Sequence, residues 1–321
     1  MNDAPTEHAH AEHPRAEHAH TLADLHHAPE ILRLVNVWDP ITAQVITAHP
    51  HTRAVATAGH SIAASHGYPD GQHIPFELLL AALERIVRAT PLPVTADLDA
   101  GFGGDPEDLG RVRENVRRVV GLGVVGLNVE DRMDPLDVAR ARMAAVLEAA
   151  EAEGVTLVLN ARTDALLKPG SAGDQEATAE AIERGRAYLA LGATCVFVPG
   201  VLDADRTRAL VAGIGTRRVS VIGLPGALTA EEYESLGVAR ISYGPMTQNV
   251  ALTRLKQLAD SLYGHGVIPA DTEKLNNIDP AAEGATTVAA TAERSPDTAG
   301  AESAQDHRTD GTTGAPVANL E

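Results

Sequence analysis

The sequence predicts an α/β protein of the TIM-barrel class, in which eight parallel strands alternate with helices in a (β/α)8 barrel. Short β-branched or apolar runs recur eight times, and amphipathic segments separate them. Together these segments occupy about 240 residues, the usual length of such a barrel. The rival is an open doubly wound sheet, which is disfavoured because no Gly-rich phosphate fingerprint follows the first run.

The eight apolar runs predict the strands. Each run is only five or six residues long, too short for a typical helix, and is apolar on both faces, as a strand covered on both sides requires. The predicted strands span residues 32–37, 54–58, 93–98, 125–130, 157–162, 195–199, 219–223 and 240–244.

The segments between the strands predict amphipathic helices. These cover residues 76–89, 106–122, 136–153, 175–191, 204–212 and 248–263. Asp105 and Asp134 each precede a proline, a pattern typical of a helix N-cap. Gly154, Gly192 and Gly237 stand where helices should end before the next strand.

Both ends of the chain differ in composition from this alternating part. Residues 1–29 repeat Ala, His and Glu and hold seven of the 14 histidines, whereas residues 271–321 are acidic and of low complexity. Neither segment has enough apolar surface to offset the entropy of ordering it. We predict a His-rich disordered tail at 1–29, a catalytic barrel domain at 30–270 and an acidic disordered tail at 271–321. Loose binding of Zn²⁺ or Ni²⁺ by the histidines is the alternative for the first tail.

Overall charge and composition exclude several classes of partner. The formal charge of −18 argues against nucleic acid or an anionic membrane. No run approaches the roughly 20 apolar residues of a membrane span, and none suits a signal peptide. The single cysteine, Cys195, cannot form an intrachain disulfide. We therefore expect a soluble cytoplasmic protein with a buried, inert thiol at Cys195.

Polar side chains gather where the predicted strands end, which is where catalytic groups of such barrels lie. Asp97 and Asp99 end the third strand and point the same way, because strand side chains alternate between faces. Glu130 ends the fourth strand and Arg162 ends the fifth. A glycine, Gly59, follows the second.

These residue types suit a metal-dependent site for a small anionic 2-oxo acid. Oxygen ligands without a His or Cys cluster favour a hard cation, here Mg²⁺ with Mn²⁺ as the alternative. Arg162 is suited to hold a substrate carboxylate by two parallel hydrogen bonds. Gly59 lets backbone N–H groups approach a developing oxyanion. The alternative for Asp97 and Asp99 is a structural pair of helix caps or salt-bridge partners.

Five motifs, occurring in order, resemble the isocitrate lyase/phosphoenolpyruvate mutase superfamily over roughly residues 31–263. They are NVWD at 36–39, GYPDG at 67–71, DLDAG at 97–101, NVED at 128–131 and NARTD at 160–164. The resemblance implies a Mg²⁺ site with Asp97 as the direct ligand and Asp70, Asp99 and Glu130 acting mainly through bound waters. It also implies that Arg162 grips the substrate carboxylate.

The same resemblance implies further substrate contacts. Gly59 and His60 match the backbone segment that cradles the oxo-acid oxygen, and Ser61 lies beside it. Trp38 and Asn160 complete the predicted substrate-binding set, although packing in the barrel is the alternative for Trp38. The predicted catalytic residues are Arg162, Asp70 and His60. Members of the superfamily form a pyruvate-like enolate held by the metal and then cleave or transfer at carbon 3.

The chain departs from the family pattern after the fourth strand. Lyases of the family carry there a mobile loop with a catalytic cysteine, and the mutases and phosphonopyruvate hydrolases carry a longer loop with Lys and Asn. Here residues 130–136 read EDRMDPL, without a cysteine, before a helix begins. Cys195 cannot substitute from within a strand. These departures disfavour isocitrate cleavage and carbon–phosphorus chemistry, and leave decarboxylation or retro-aldol cleavage of a small 2-oxo or 2-hydroxy dicarboxylate.

Three classes of function therefore stay open. The first is a Mg²⁺-dependent carbon–carbon lyase, with His60, His66, Tyr68 or Tyr243 as candidate general acids. The second is a phosphoenolpyruvate or carboxyphosphonoenolpyruvate phosphonomutase, or a phosphonopyruvate hydrolase. The third is a non-catalytic metal-binding protein. The resemblance also implies a homo-oligomer, a dimer or tetramer, formed by exchange of the last barrel helix. Asp39, which precedes Pro40, is expected to cap a helix.

Overall fold

The computed structural model describes residues 14–105, 108–167 and 174–276. In this part of the chain nine parallel strands form one sheet. They are β1 (Leu32–Leu34), β2 (Asn36–Val37), β3 (Val55–Thr57), β4 (Val94–Asp97), β5 (Gly126–Glu130), β6 (Val158–Arg162), β7 (Cys195–Phe197), β8 (Val219–Ile222) and β9 (Arg240–Ser242). Each lies within one of the eight predicted runs.

The sheet closes on itself through its first strand. β1 pairs with β9, beginning with Leu32 beside Arg240, whereas β2 pairs with β3, with Asn36 beside Ala56. Only Val35 separates β1 from β2. The two pieces therefore act as one strand, and the predicted (β/α)8 barrel is confirmed.

Helices surround the barrel. They are α1 (Pro14–His27), α2 (Pro40–Thr47), α3 (Gly59–Ser65), α4 (Phe76–Arg88), α5 (Leu109–Gly121), α6 (Leu136–Ala152), α7 (Asp174–Leu189), α8 (Ala204–Ile214), α9 (Ala230–Ser235) and α10 (Met246–His265). The six predicted helices are confirmed to within three residues at each end. Gly154, Gly192 and Gly237 follow helices with positive φ, as predicted.

The helix caps were predicted less well. Asp39 caps α2 as expected, with its carboxylate accepting the Thr42 N–H at 2.8 Å. The predicted caps at Asp105 and Asp134 are wrong. The carboxylate of Asp108 caps α5 instead, and Asp134 accepts a hydrogen bond from the buried guanidinium of Arg142. A buried cation competes for the Asp134 carboxylate more strongly than the free N–H groups of the helix end.

Helix α1 corrects the predicted boundary of the folded part. Residues 14–27, assigned to a disordered tail, form a helix that buries Ala19, Leu22 and His26. Gly126 at the start of β5 makes room for it, since a Cβ there would lie 2.7 Å from a Leu22 methyl. The sequence did not predict this buried stripe, because one of its three residues, His26, lies in a segment rich in histidine. Residues 1–13 and 277–321 lie outside the described residues, while 271–276 are exposed.

Burial of His26 makes stability depend on pH. Burial and, after it, the charge of Arg240 lower the pKa of His26 from 6.5 to about 3. Between these values the unfolded chain binds a proton that the folded chain does not, so unfolding becomes easier as pH falls. We expect the free energy of unfolding to lose about 1.4 kcal/mol per pH unit from this residue below pH 6.

Urea unfolding between pH 6.5 and 5 checks this pH dependence. The His26→Gln protein should show a shallower slope than the wild type, whereas His51→Gln, which alters an exposed histidine, should not. Equal slopes for wild type and His26→Gln would contradict the burial of His26 against the barrel.

The last helix is poorly covered by its own barrel. Only Gln248 of α10 is buried, while Val250, Leu252 and Leu255 are 63%, 53% and 61% exposed. A groove of about 560 Å³, lined by Ile41 and other apolar side chains, lies between α2 and α10. The chain therefore presents an apolar face next to an apolar groove.

Candidate active site

The predicted acidic residues meet at the C-terminal mouth of the barrel. Asp97 ends β4 and lies beside Asn128 of β5, and Glu130 ends β5. The N–H of Glu130 donates to the carbonyl oxygen of Asp99 at 2.8 Å. Asp99 itself has a φ of 46°, a left-handed conformation that is uncommon outside glycine. Aspartate tolerates this conformation better than most residues do, because its short polar side chain can hydrogen-bond locally.

Gly59 holds Asp97 in place. Its N–H donates to Asp97 Oδ2 at 3.1 Å, and a Cβ at this position would lie 3.2 Å from the same oxygen. The close approach explains why glycine begins α3. In this structure the carboxylate of Asp97 engages this N–H, so the predicted contact of Gly59 with a substrate oxyanion stays a prediction.

The acidic side chains of the cluster disfavour one another's ionised form. Burial and, after it, the neighbouring carboxylates of Asp97, Glu130 and Asp70 together raise the pKa of Asp99 to about 8. Burial also raises the pKa of Asp97, against the opposing effect of Arg162. Without a bound cation the cluster therefore keeps a proton near neutral pH.

Asp70 and His60 form a pair at the edge of this cluster. The Nδ1 atom of His60 lies 3.3 Å from Asp70 Oδ2, and both side chains are about half exposed. The charge of Asp70 raises the pKa of both Asp97 and Asp99, so it contributes to the same acidic surface. The predicted group of four acids is thus brought to one place.

Arg162 supplies the cation of the site. It ends β6 beside Glu130, with Nη1 3.0 Å from a Glu130 oxygen and Nε 2.7 Å from Asp164 Oδ1. Burial alone would lower the pKa of Arg162, but the carboxylates of Glu130 and Asp164 raise it overall. Its guanidinium also lies 6.0 Å from the centre of the Phe197 ring. Arg162 is therefore permanently charged and held by two carboxylates, Glu130 at the end of β5 and Asp164 in the loop after β6.

Three predicted substrate contacts are less accessible. Ser61 is fully buried, and its hydroxyl has no partner in the described part of the chain. Asn160 is also fully buried, and its amide donates to Asn128 and Ser220 at 2.9 and 3.3 Å. Trp38 lines the groove beside α10. The hydrogen bonds of Asn160 hold it inside the barrel, and the predicted substrate contacts of these three residues stay predictions.

The turn that follows Glu130 is short and fixed. The N–H of Asp134 donates to the Asp131 carbonyl at 2.9 Å, and Arg132 and Met133 both have positive φ. Arg142 donates to the carbonyl of Glu130 at 3.1 Å and also pairs with Asp134. The turn is therefore short and hydrogen-bonded to helix α6, which begins at Leu136 soon after the strand, as its sequence predicted.

Sequence reasoning missed a polar group behind this turn. Asp131, Arg184 and Tyr188 are buried together, with the tyrosine hydroxyl 2.8 Å from Asp131 Oδ2. A sequence signal did exist, because Arg184 and Tyr188 are four residues apart on one face of a helix. Their partner is more than 50 residues away, which local patterns cannot reveal.

The acid cluster suits a hydrated ion better than a fully caged one. Among the described residues, no three His, Cys, Asp or Glu side chains lie close enough to hold one ion directly. Mg²⁺ commonly binds through one or two carboxylates and keeps several waters. The carboxylates of this cluster raise one another's pKa. A bound cation would stabilise their ionised forms and use their oxygens as ligands. The residues present therefore fit Mg²⁺ with mostly water-mediated contacts.

Two further expectations have a structural counterpart. Cys195 is fully buried in β7, and burial raises its pKa to about 12, so the thiol is protonated at neutral pH. No helix in the described ranges is both long and apolar enough to span a membrane.

Comparisons with known proteins agree with the fold. Residues 22–263 match the family model for phosphoenolpyruvate phosphomutase. The chain is 30% identical over 215 residues to an oxaloacetate decarboxylase of Rhodopseudomonas palustris. The aligned region covers 65% of this chain and 71% of that protein. It is 24% identical over 257 residues to a 2-methylisocitrate lyase of Halalkalibacterium halodurans, covering 76% and 82% of the two chains.

One solved structure is more similar in sequence. A candidate phosphonomutase from Burkholderia cenocepacia J2315 superposes with a TM-score of 0.71 at 37% identity, covering 77% of this chain and 99% of the other. A closed parallel barrel with acids and an arginine at its C-terminal mouth defines a barrel enzyme. The chain belongs to the phosphoenolpyruvate mutase/isocitrate lyase superfamily, whose named members here are a mutase, a decarboxylase and a lyase. Membership favours an enzyme over the non-catalytic metal-binding alternative.

Proposed function

We propose that this enzyme is a Mg²⁺-dependent carbon–carbon lyase for a small 2-oxo or 2-hydroxy dicarboxylate, acting through an enolate. Decarboxylation of a 2-oxo dicarboxylate such as oxaloacetate is the reaction that the site supports best. The observation that carries the proposal is the cluster of four acids beside Arg162 at the barrel mouth.

The acids would hold the cation. Asp97 is fixed by the Gly59 N–H and is the proposed direct ligand, with Asp99, Glu130 and Asp70 binding its waters. A bound Mg²⁺ supplies Lewis-acid stabilisation of negative charge that develops on the substrate's 2-oxo oxygen. Because burial and the neighbouring carboxylates raise the pKa of Asp99, a bound cation would favour the ionised form of this side chain.

Arg162 would bind and orient the substrate. Its guanidinium suits the carboxylate next to the oxo group by a two-point hydrogen bond. Glu130 and Asp164 fix the arginine before substrate arrives, so little orientational freedom is lost on binding. The backbone at His60 and Ser61 is the proposed contact for the oxo oxygen, with His60 at the open rim.

The fixed turn after β5 favours decarboxylation over retro-aldol cleavage. In decarboxylation the bond between carbons 3 and 4 breaks, its electron pair moves toward the oxo oxygen, and CO₂ leaves. No base from the chain is needed in that step, and carbon 3 later takes a proton from water. Retro-aldol cleavage requires a base for the substrate hydroxyl. The turn through Arg132 and Met133 is exposed or half-buried and hydrogen-bonded to itself, and it holds no such base.

Direct assay tests the proposal. Purified protein with Mg²⁺ should release CO₂ from oxaloacetate faster than Mg²⁺ alone, and EDTA should abolish the difference. Dimethylmalate and 2-methylisocitrate test the retro-aldol alternative in the same series. No turnover of any of these compounds, together with no binding of oxalate in the presence of Mg²⁺, would contradict the proposal.

A phosphonomutase or phosphonate hydrolase is the second candidate. It is favoured by the 37% identity to a structure described as a candidate phosphonomutase. Phosphorus NMR after incubation with phosphonopyruvate separates the two, because a mutase gives a phosphate ester and a hydrolase gives inorganic phosphate. The short turn after Glu130 disfavours this chemistry.

We also propose that the enzyme is a homo-oligomer, a dimer or tetramer, in which a second copy covers α10. The exposed apolar face of α10 beside an apolar groove supports the proposal. Burying apolar surface on association stabilises the complex by about 25 cal/mol per Å² of area removed from water. A patch of this kind on a folded protein commonly marks an interface.

Charge on this face should dissociate the oligomer. We expect the Leu252→Asp/Leu255→Asp protein to have a smaller mass than the wild type in light scattering at micromolar concentration, since association would bury two uncompensated carboxylates. Val201→Asp, which alters an equally exposed residue outside α10, should leave the mass unchanged. A monomeric wild type would contradict the proposed assembly.

A further inference from the structure

Asp131 is the centre of a buried network that the proposed chemistry does not use. Its Oδ1 atom accepts the N–H of Met133 at 3.0 Å and the N–H of Asp164 at 3.1 Å. Its Oδ2 atom accepts the hydroxyl of Tyr188 at 2.8 Å and Nη1 of Arg184 at 3.3 Å. One fully buried carboxylate thus joins the ends of two strands to helix α7.

Two paths connect Asp131 to Arg162, one through its backbone and one through its carboxylate. The Asp131 N–H donates to the Arg162 carbonyl at 3.0 Å, which fixes the backbone of the arginine. The Asp131 side chain fixes the backbone of Asp164, and the Asp164 carboxylate in turn accepts from Arg162 Nε at 2.7 Å. The positions of both the backbone and the guanidinium of Arg162 therefore depend on the position of Asp131.

The cost of the network indicates a purpose beyond stability. Removing a carboxylate and a guanidinium from water costs several kcal/mol per ion, and an apolar replacement of such a pair is often no less stable. Arg184 is 5% exposed and Asp131 is fully buried, so both ions carry this cost, while the buried hydroxyl of Tyr188 carries the smaller cost of a neutral polar group. What an apolar replacement would lose is the fixed direction of the Asp131 carboxylate.

We infer that Tyr188 and Arg184 are positioning residues for Arg162. They act on it through Asp131 and Asp164. The inference deepens the proposed function and rests on it, because Arg162 is taken as the group that grips the substrate carboxylate. Helix α7 thus determines how precisely the mouth of the barrel binds its substrate. Among the described residues the network contacts Asp164 and the backbone of Arg162 directly, so we expect it to affect substrate binding more than metal binding.

The Tyr188→Phe protein tests this pathway with a small change. It removes one hydroxyl, and with it one of the four bonds that hold Asp131. We expect oxalate, an analogue of the planar enolate, to bind the Mg²⁺-loaded protein about tenfold more weakly, as the loss of a hydrogen bond to a charged group implies. The affinity for Mg²⁺ alone should change less than about twofold.

Tyr233→Phe is the matched control. Tyr233 is also fully buried, and its hydroxyl donates to the Leu202 carbonyl at 3.3 Å, away from the site. This variant should bind oxalate like the wild type, although it loses a buried hydrogen bond as well. Equal losses of oxalate affinity in Tyr188→Phe and Tyr233→Phe would overturn the inference.

A double-mutant cycle separates positioning from general destabilisation. In an Arg162→Lys background the guanidinium fork is gone, so Tyr188→Phe should weaken oxalate binding no further. An equal additional loss in that background would show that Tyr188 acts independently of Arg162 and would overturn the inference. Should Tyr188→Phe fail to fold, Arg184→Lys, which keeps the positive charge, is the second variant, and the same non-additivity is expected.

Failure of the proposed function gives a different result. A wild-type protein that binds no oxalate in the presence of Mg²⁺ would overturn the function itself and the inference with it. Wild-type binding with an unaffected Tyr188→Phe protein would overturn the inference alone.

Discussion

The Asp97→Asn protein is expected to fold, to lose Mg²⁺ binding and to lose at least about a thousandfold in kcat/KM. The carboxylate is the proposed direct ligand, and an amide oxygen without charge cannot replace it for a hard cation. Loss of the Lewis acid removes the main stabilisation of the developing negative charge. The loss should be visible by calorimetric titration with Mg²⁺ and in the rate of CO₂ release.

The same variant should not be less stable without metal. At neutral pH a carboxylate whose pKa is raised by burial destabilises the folded state when ionised, and asparagine removes that charge. The amide oxygen still accepts the Gly59 N–H. We therefore expect the melting temperature of the metal-free protein not to fall. Asp205→Asn, which alters an exposed acid on α8, should leave Mg²⁺ binding intact. A variant that binds Mg²⁺ normally would remove Asp97 from the site.

The Arg162→Lys protein is expected to bind Mg²⁺ normally but to bind oxalate about ten- to hundredfold more weakly. Lysine keeps the positive charge beside the acids, so the electrostatic setting of the cation changes little. It cannot make the two parallel hydrogen bonds of a guanidinium, and a charge-assisted hydrogen bond contributes about 1.5–3 kcal/mol. Calorimetry with Mg²⁺ first and oxalate second measures the two affinities separately.

A matched arginine shows whether the effect belongs to the site. Arg113 makes a similar two-point contact with Glu148, but on the exposed surface between α5 and α6. Arg113→Lys should leave both affinities unchanged, because exposed ion pairs contribute little. Normal oxalate binding by the Arg162→Lys protein would show that another group holds the substrate carboxylate.

The strands were predictable because their signal is local. Each buried run is apolar on both faces and is bounded by polar or glycine-rich segments, so β5 and β6 were located to within one residue. Helices α3 and α9 were missed because six or seven residues carry too little periodicity. Helix α1 was missed for a different reason. Its composition predicted disorder, whereas its burial depends on a space that Gly126, more than 100 residues away, leaves open.

The candidate site was predictable where its residues end strands. Asp97, Glu130 and Arg162 were placed correctly because the C-terminal ends of parallel strands meet at one rim. The group of Asp131, Arg184 and Tyr188 was not predictable, since it joins a strand end to the inner face of a distant helix. The direction of a single N–H was equally beyond the sequence. Gly59 was expected to face the substrate, but its N–H donates to Asp97.

A crystal structure with Mn²⁺ in place of Mg²⁺, together with oxalate, tests the central claim most directly. Mn²⁺ is located by its anomalous scattering. We predict one strong peak at the barrel mouth about 2.2 Å from an Asp97 oxygen, with Asp99 and Glu130 reached through water and oxalate next to Arg162. The contrary result is clear-cut. A protein saturated with Mn²⁺ that shows no peak beside Asp97, or shows it only elsewhere on the molecule, would contradict the proposed metal-dependent chemistry.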